Sequence, residues 1–173
     1  IFDEGPHVSY TRLERLRNIF AESVKGQYES ITVSVNNYWK GFWIKHPAIT
    51  NLYGLPPELI VKILRDFIDR PKPGPEEIRN YEDWLMAGYG RTYAETFPMQ
   101  YTRKFHTTTA DNMTTDWVGP RLYQANLDEV LLGAVTPHTP NIHYVQDSRY
   151  PTRNGFISFL DSLNSEATIK VNH

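Results

Sequence analysis

One stretch constrains this chain more than any other: ITVSVNNYWKGFWIKHP, from Ile31 to Pro47. Its apolar residues leave the helical period that governs most of the sequence. Ile31, Val33 and Val35 alternate with polar neighbours, Lys40-Gly41 suits a hairpin tip, and Phe42 to Lys45 returns as a partner strand before Pro47. Ala167 to Val171 reads as one further, terminal strand. A sheet of so few strands is small and antiparallel, and helices must supply the rest of the core. The expected class is α+β, mainly helical, with a small antiparallel sheet.

The helices are marked by their ends. Thr11 and Glu14 make a capping-box pattern around Leu13, with Leu16, Phe20 and Val24 at helical spacing and Lys25-Gly26 as the stop. A second helix is expected from Pro56-Pro57-Glu58 to about Asp69, burying Leu59, Ile60, Ile63, Leu64 and Phe67. Pro71 to Pro75 holds three prolines and a glycine, and reads as an exposed connection. Asn80 caps a third helix, with Asp83 at its third position and Trp84, Leu85, Tyr89 and Tyr93 on its inner side. Gly88 and Gly90 interrupt that pattern at a cost of about 1 kcal/mol each relative to Ala, so close packing against another backbone or a ligand is expected there. Pro98 to Tyr123 and Pro137 to Arg153 have little periodicity and read as irregular. Asn126 to Glu129 caps a short helix ending near Val135, and Asn154-Gly155 opens a last one carrying Phe156, Phe159, Leu160 and Leu163.

Bulk composition narrows the function. The 173 residues suffice for one domain with a real core. A formal charge of −2 gives no argument for nucleic acid or an anionic membrane. With no Cys, disulfides, thiolate metal sites and thiol nucleophiles are excluded. No apolar run approaches the roughly 20 residues of a membrane span, and a soluble cytoplasmic protein is the default expectation. GxSxG, Walker A and GxGxxG patterns do not occur; GYGRTY at Gly88 has two of the glycines but lies within a helical pattern, not after a strand.

The most distinctive stretch is MQYTRKFHTTTADNMTTDWVGPRLY. Arg103, Lys104 and Arg121 are set among Tyr101, Phe105, Trp117 and Tyr123, a mixture that suits an anionic, partly planar ligand: cations for phosphate or carboxylate, rings for stacking. From spacing alone, an ordinary surface loop is the stronger reading. His138 and His143 lack the helical alignment of a zinc pair. His106 could serve as acid, base or stacking ring, or be a plain loop residue. His7, after Gly5-Pro6, could be pressed against a ligand by the turn, or simply be buried.

In these segments the chain resembles the FAD-dependent amine-oxidase superfamily, in its UDP-galactopyranose mutase-like and protoporphyrinogen-oxidase-like branch. FDEGPH is similar to the family's Gly-Pro-His segment, WIKHPAITNLYGLPPELI to its strand, Pro and Leu-Pro helix entry, and YGRTYAETFPMQYTRKFH to its helix ending in a Tyr-containing loop. DWVGPRL resembles the following segment with a substrate-facing Arg, and YPTRNGFISFLDSL its Gly-bearing helix start. The motifs run in family order across nearly the whole chain.

The resemblance implies an interior piece of a larger flavoenzyme: a substrate or cap domain over 1–173, with FAD-domain stubs at about 1–10 and 165–173, and without the Rossmann-type FAD-binding unit. It implies FAD in the full-length parent, not held by this fragment, with Gly5, His7 and Gly155 against the cofactor. Tyr101, Lys104, His106 and Arg121 would line the substrate site, where the mutases place a uracil-stacking Trp at the position of His106. The implied partner is a small molecule such as a nucleotide sugar, with neither nucleic acid nor a membrane span, and a homo-oligomer is compatible with it. The chemistry would be oxidation of a C–N or C–C bond or a redox-neutral sugar rearrangement, and the isolated chain would be inactive. The alternative, from the residues alone, is a carbohydrate-binding module using Trp39, Trp43, Tyr53 and the Tyr101 to Tyr123 region.

Overall fold

The computed structural model describes residues 7–119, 122–141, 147–168 and 170. They fall into two units, Ile1–Ser34 with Val145–His173, and Val35–Tyr144. The fold is mainly helical with small antiparallel sheets, the class that the periodicity predicts.

The unit Val35–Tyr144 begins with the hairpin of β2 (Asn36–Trp39) and β3 (Phe42–Lys45). Lys40 and Gly41 both take positive φ at its tip, as a tight two-residue turn requires. A 3-10 turn at Ala48–Thr50 leads to α2 (Pro57–Ile68), which buries Ile63 and Phe67 completely and Leu59, Ile60 and Leu64 in part. Next comes α3 (Tyr81–Tyr89), where the Asn80 side chain accepts from the Asp83 N–H at 2.9 Å, the expected cap.

Tyr93, read as part of that same helix, belongs to a new one. Gly90 at φ +78° ends α3 and starts α4 (Arg91–Thr96). A Cβ on Gly90 would stand 2.5 Å from the Asp66 carbonyl oxygen of α2, so the glycine is where two backbones meet. The Asp66 carboxylate then caps α4, accepting from the Thr92 N–H at 2.9 Å and from the Thr92 hydroxyl. These bonds hold Asp66 below the ordinary carboxylate range. The second close approach is Gly133 in α6 (Leu127–Val135), whose Cβ would come within 2.1 Å of the Thr50 carbonyl. Helix α6 opens on a complete Asn126–Glu129 capping box.

The other unit holds α1 (Glu14–Ser23), β1 (Tyr28–Thr32), β4 (Asp147–Pro151) and α7 (Asp161–Glu166). The Thr11 capping box does not form: the Thr11 hydroxyl accepts from the Leu13 N–H at 3.2 Å, a local turn, and the helix starts later with Leu13 as an uncapped N-cap. Its stop is as expected, with Lys25 and Gly26 at positive φ. The alternating run from Ile31 is not one strand feeding the hairpin. It breaks after Thr32, and β1 pairs with β4, inside a segment read as irregular. Phe156–Leu160 forms a 3-10 turn before α7, so the last helix starts at Asp161 rather than at Asn154-Gly155. Ala167, Thr168 and Lys170 lie outside any strand; the rest of the expected terminal strand is outside the described residues.

Candidate functional site

The segment from Pro98, read as a loop, opens with a helix, α5 (Pro98–His106). Pro98 supplies the pre-set φ of a first helical position, and Thr102, almost fully buried, donates to the Pro98 carbonyl at 2.8 Å. Thr107 at φ +57° stops it. Tyr101 and Phe105, one turn apart, stack with ring centroids 5.4 Å apart and planes 12° from parallel. Their spacing was the available helical signal, masked by the threonines that follow.

One face of α5 walls a cleft of about 740 Å³, within the usual range for small-molecule sites. Tyr101, Lys104 and His106 all line it, three of the four residues assigned to substrate from sequence. The fourth, Arg121, lies outside the described residues. His106 stands between Phe105, edge-on at 4.9 Å, and Trp117 at 5.6 Å. Trp117 is itself fixed edge-on against Tyr81 at 4.9 Å, with its indole N–H donating to the Thr114 carbonyl at 2.8 Å. Burial pushes the Tyr81 phenol up to about 12, so that ring is a neutral wall. Tyr123 is drawn elsewhere, its hydroxyl donating to Glu129. Arg103 is exposed and does not line the cleft.

The start of α5 forms the other part of the cleft. Phe97 packs against Trp39 at 5.7 Å and Tyr93 at 5.1 Å, and elsewhere in the lining Asn36, Asn37, His46, Thr96 and Gln100 add polar groups. Sequence reasoning missed His46 and the two asparagines; the hairpin brings them there, and no spacing motif signals it. Burial lowers the His46 pKa, favouring the neutral imidazole. Among the described residues lining the cleft there is no carboxylate. Cation, stacked rings and neutral donors together can hold an anionic ligand with a planar part. Among the described residues no three His, Asp or Glu converge as a metal site would, and no helix is long and apolar enough to cross a membrane.

The residues assigned to a cofactor lie in the other unit. The His7 ring, exposed, is 5.8 Å from Phe156, directly after Gly155. Gly155 is buried at φ +76°, ψ 178°, a conformation open essentially to Gly alone. The turn and His7 are thus brought side by side. Gly5 lies outside the described residues.

No protein-family model matches the chain. Among solved structures, it is similar to reduced UDP-galactopyranose mutase, with a TM-score of 0.82 and 18% sequence identity over 96% of this chain. The likeness is one of fold. The match spans 36% of the mutase chain, so this sequence corresponds to about a third of that protein.

Proposed function

We propose that this chain is the substrate-binding portion of an FAD-dependent oxidoreductase or sugar-nucleotide mutase, and that the α5 cleft receives an anionic small molecule such as a nucleotide sugar. The observation that carries the reading is the composition of that cleft, within a fold that follows a mutase over nearly all of the chain. Tyr101 and Phe105 offer a stacking surface, Lys104 charge for phosphate, and His106 with Trp117 an aromatic wall in place of a single indole; Arg121, outside the described residues, would add a second cation. Segments 1–10 and 165–173 would belong to the FAD domain of a longer, cytoplasmic protein. Its flavin would rest against Gly5, His7 and Gly155, where a residue with a Cβ at Gly155 would be strained. Bound flavin would supply either hydride abstraction or, when reduced, a nucleophile; the chain's own residues bind and orient the substrate.

Calorimetric titration with UDP tests the cleft. Binding is expected, and Lys104→Ala should weaken it about tenfold, the scale of one charge-assisted hydrogen bond. A cleft indifferent to UDP, in a full-length protein without flavin absorption, would overturn the reading.

A second reading has an observation in its favour. Tyr38 and Trp43, opposite each other on the hairpin, are 65% and 73% exposed, as sugar-stacking rings would be, with Tyr38 at the edge of the cleft and Trp43 outside its lining. Trp39, by contrast, is partly buried against the core. A carbohydrate-binding module predicts glycan binding that Trp43→Ala abolishes, with no response to UDP.

A further inference from the structure

The smaller unit has a cavity of its own, of about 290 Å³, and its lining includes Lys25, Gln27, Arg153, Asn154 and Asp161. Two turns build it at one end of the β1–β4 ladder. The Thr152 N–H donates to the Gln27 carbonyl at 3.1 Å, one step beyond the Tyr28–Pro151 pair, so the residues before Gln27 and after Thr152 leave the sheet together. In each turn a residue other than glycine takes the left-handed conformation, Lys25 at φ +52° and Asn154 at φ +67°. Asn adopts it readily, Lys much less so. The turn after β4 is pinned from inside: the buried Ser158 hydroxyl lies 2.9 Å from the Gly155 carbonyl and 3.3 Å from the Arg153 carbonyl, as a donor to both.

Lys25 and Arg153 are exposed, and among the described residues neither is in an ion pair. Asp161 adds one carboxylate, so cations outnumber it in the lining by two to one. An ammonium and a guanidinium fork on one cavity suit a phosphate, whose double charge matches both. A carboxylate ligand would leave one cation over. The cavity extends past these two groups to Gln27 and Asn154, whose amides donate and accept, and to Asp161, which accepts; such a set suits hydroxyls. We propose that this cavity binds a sugar phosphate, with Lys25 and Arg153 on the phosphate and Gln27, Asn154 and Asp161 toward the hydroxyls. The proposal does not rest on the α5 cleft.

Residue-resolved NMR titration of the whole chain at pH 8 tests it, with inorganic phosphate and then glucose 1-phosphate as probes. Phosphate should shift the Gln27 and Asn154 side-chain amide signals saturably in the millimolar range. Glucose 1-phosphate should bind about threefold or more tighter, the scale of one net hydrogen bond. Arg153→Gln should weaken phosphate about tenfold, as loss of a charge-assisted bond does. Lys25→Asn, which keeps a residue at ease with positive φ, should weaken it about threefold or more. Asp161→Asn should tighten phosphate about twofold, since a like charge leaves the cavity. All three positions are exposed, so each variant should fold. Signals that neither probe moves, or shifts that survive both Arg153→Gln and Lys25→Asn, overturn the proposal. So does weaker phosphate binding in Asp161→Asn. Equal affinities for the two probes overturn the sugar assignment. Shifts confined to α5 around Lys104 overturn the proposal while leaving the cleft as an anion site.

Discussion

Phe67 and Phe159 are both fully buried rings, yet their surroundings differ. Phe67 belongs to a continuous core with Ile63, Leu85, Tyr89 and Val130, and the Arg70 guanidinium covers it 3.8 Å from its centroid. Phe159 is enclosed by partly buried rings: Phe20 at 5.3 Å, Phe156 at 5.6 Å and Tyr28 at 6.3 Å. Neither α1 nor α7 around it buries a residue, and Leu13, Ile157 and Leu163 are 65%, 57% and 44% exposed. The unit 35–144 thus has a core of its own. Among its described residues the smaller unit has one buried aromatic ring, and a core that thin fits the proposal that its ends belong to a further domain.

The largest expected effect breaks this comparison if it fails. Phe67→Ala should cost about 3–5 kcal/mol and unfold the cleft-bearing unit, with loss of protection across α2–α6 in hydrogen exchange. Phe159→Ala should strip protection from β1 and β4 alone. If either variant melts both units together in one transition, they are a single cooperative body and the contrast is wrong.

Next come the two glycines at which backbones meet. Gly133→Ala puts a methyl where the Thr50 carbonyl is, and Gly90→Ala adds positive φ to a clash with Asp66. Each should cost about 3 kcal/mol by urea denaturation, the upper part of the overpacking range. Gly88→Ala is the control, since the nearest atom there is the Gln124 side chain at 3.4 Å, and it should cost little.

How much of this was legible follows the same division. In the larger unit, α2, α3, α6 and the hairpin tip could be read because local signals agreed with packing: Pro57, Asn80, Asn126 and Lys40-Gly41 each mark the boundary where it falls. Gly90 was legible as a point of contact but not as a helix break, since Tyr93 keeps the inward period across it. In the smaller unit the errors concentrate. β4 has no alternation to announce it, and its partner β1 lies more than a hundred residues away. The Thr11 box satisfied a local rule that nothing in the fold enforces. As for the cleft, Tyr101, Lys104 and His106 could be singled out because ring and cation types recur there, whereas His46 arrives by the hairpin's return.

Acid should separate the contributions by pH. The fold lowers the His46 pKa, so the unfolded chain takes up this proton first, and stability should fall as pH drops below the ordinary 6.5, levelling off below the folded value. His46→Gln should flatten that segment. The folded pKa of Asp66 is also depressed, so its contribution is present above the ordinary 3.8 and lost as pH falls through the lower folded value. Asp66→Ala should cost about 1 kcal/mol at neutral pH, as a lost helix cap does, and nothing once the wild-type carboxyl is protonated.

The smallest effect sharpens the comparison within the hairpin. Tyr38 and Trp43 face each other at 5.2 Å on the exposed side, while Trp39 and Phe42 face the core. A cross-strand aromatic pair is worth about 0.5–1 kcal/mol, so Trp43→Thr, which keeps a strand-favouring residue, should lower stability by no more than that. Trp39→Thr removes packing against Phe97 as well and should cost several times as much, with loss of UDP binding as the cleft wall gives way. UDP affinity unchanged in Trp43→Thr would place that ring outside the cleft's business and leave it free for a glycan. If Trp43→Thr weakens UDP as Trp39→Thr does, Trp43 belongs to the same site, and the two readings of this protein merge.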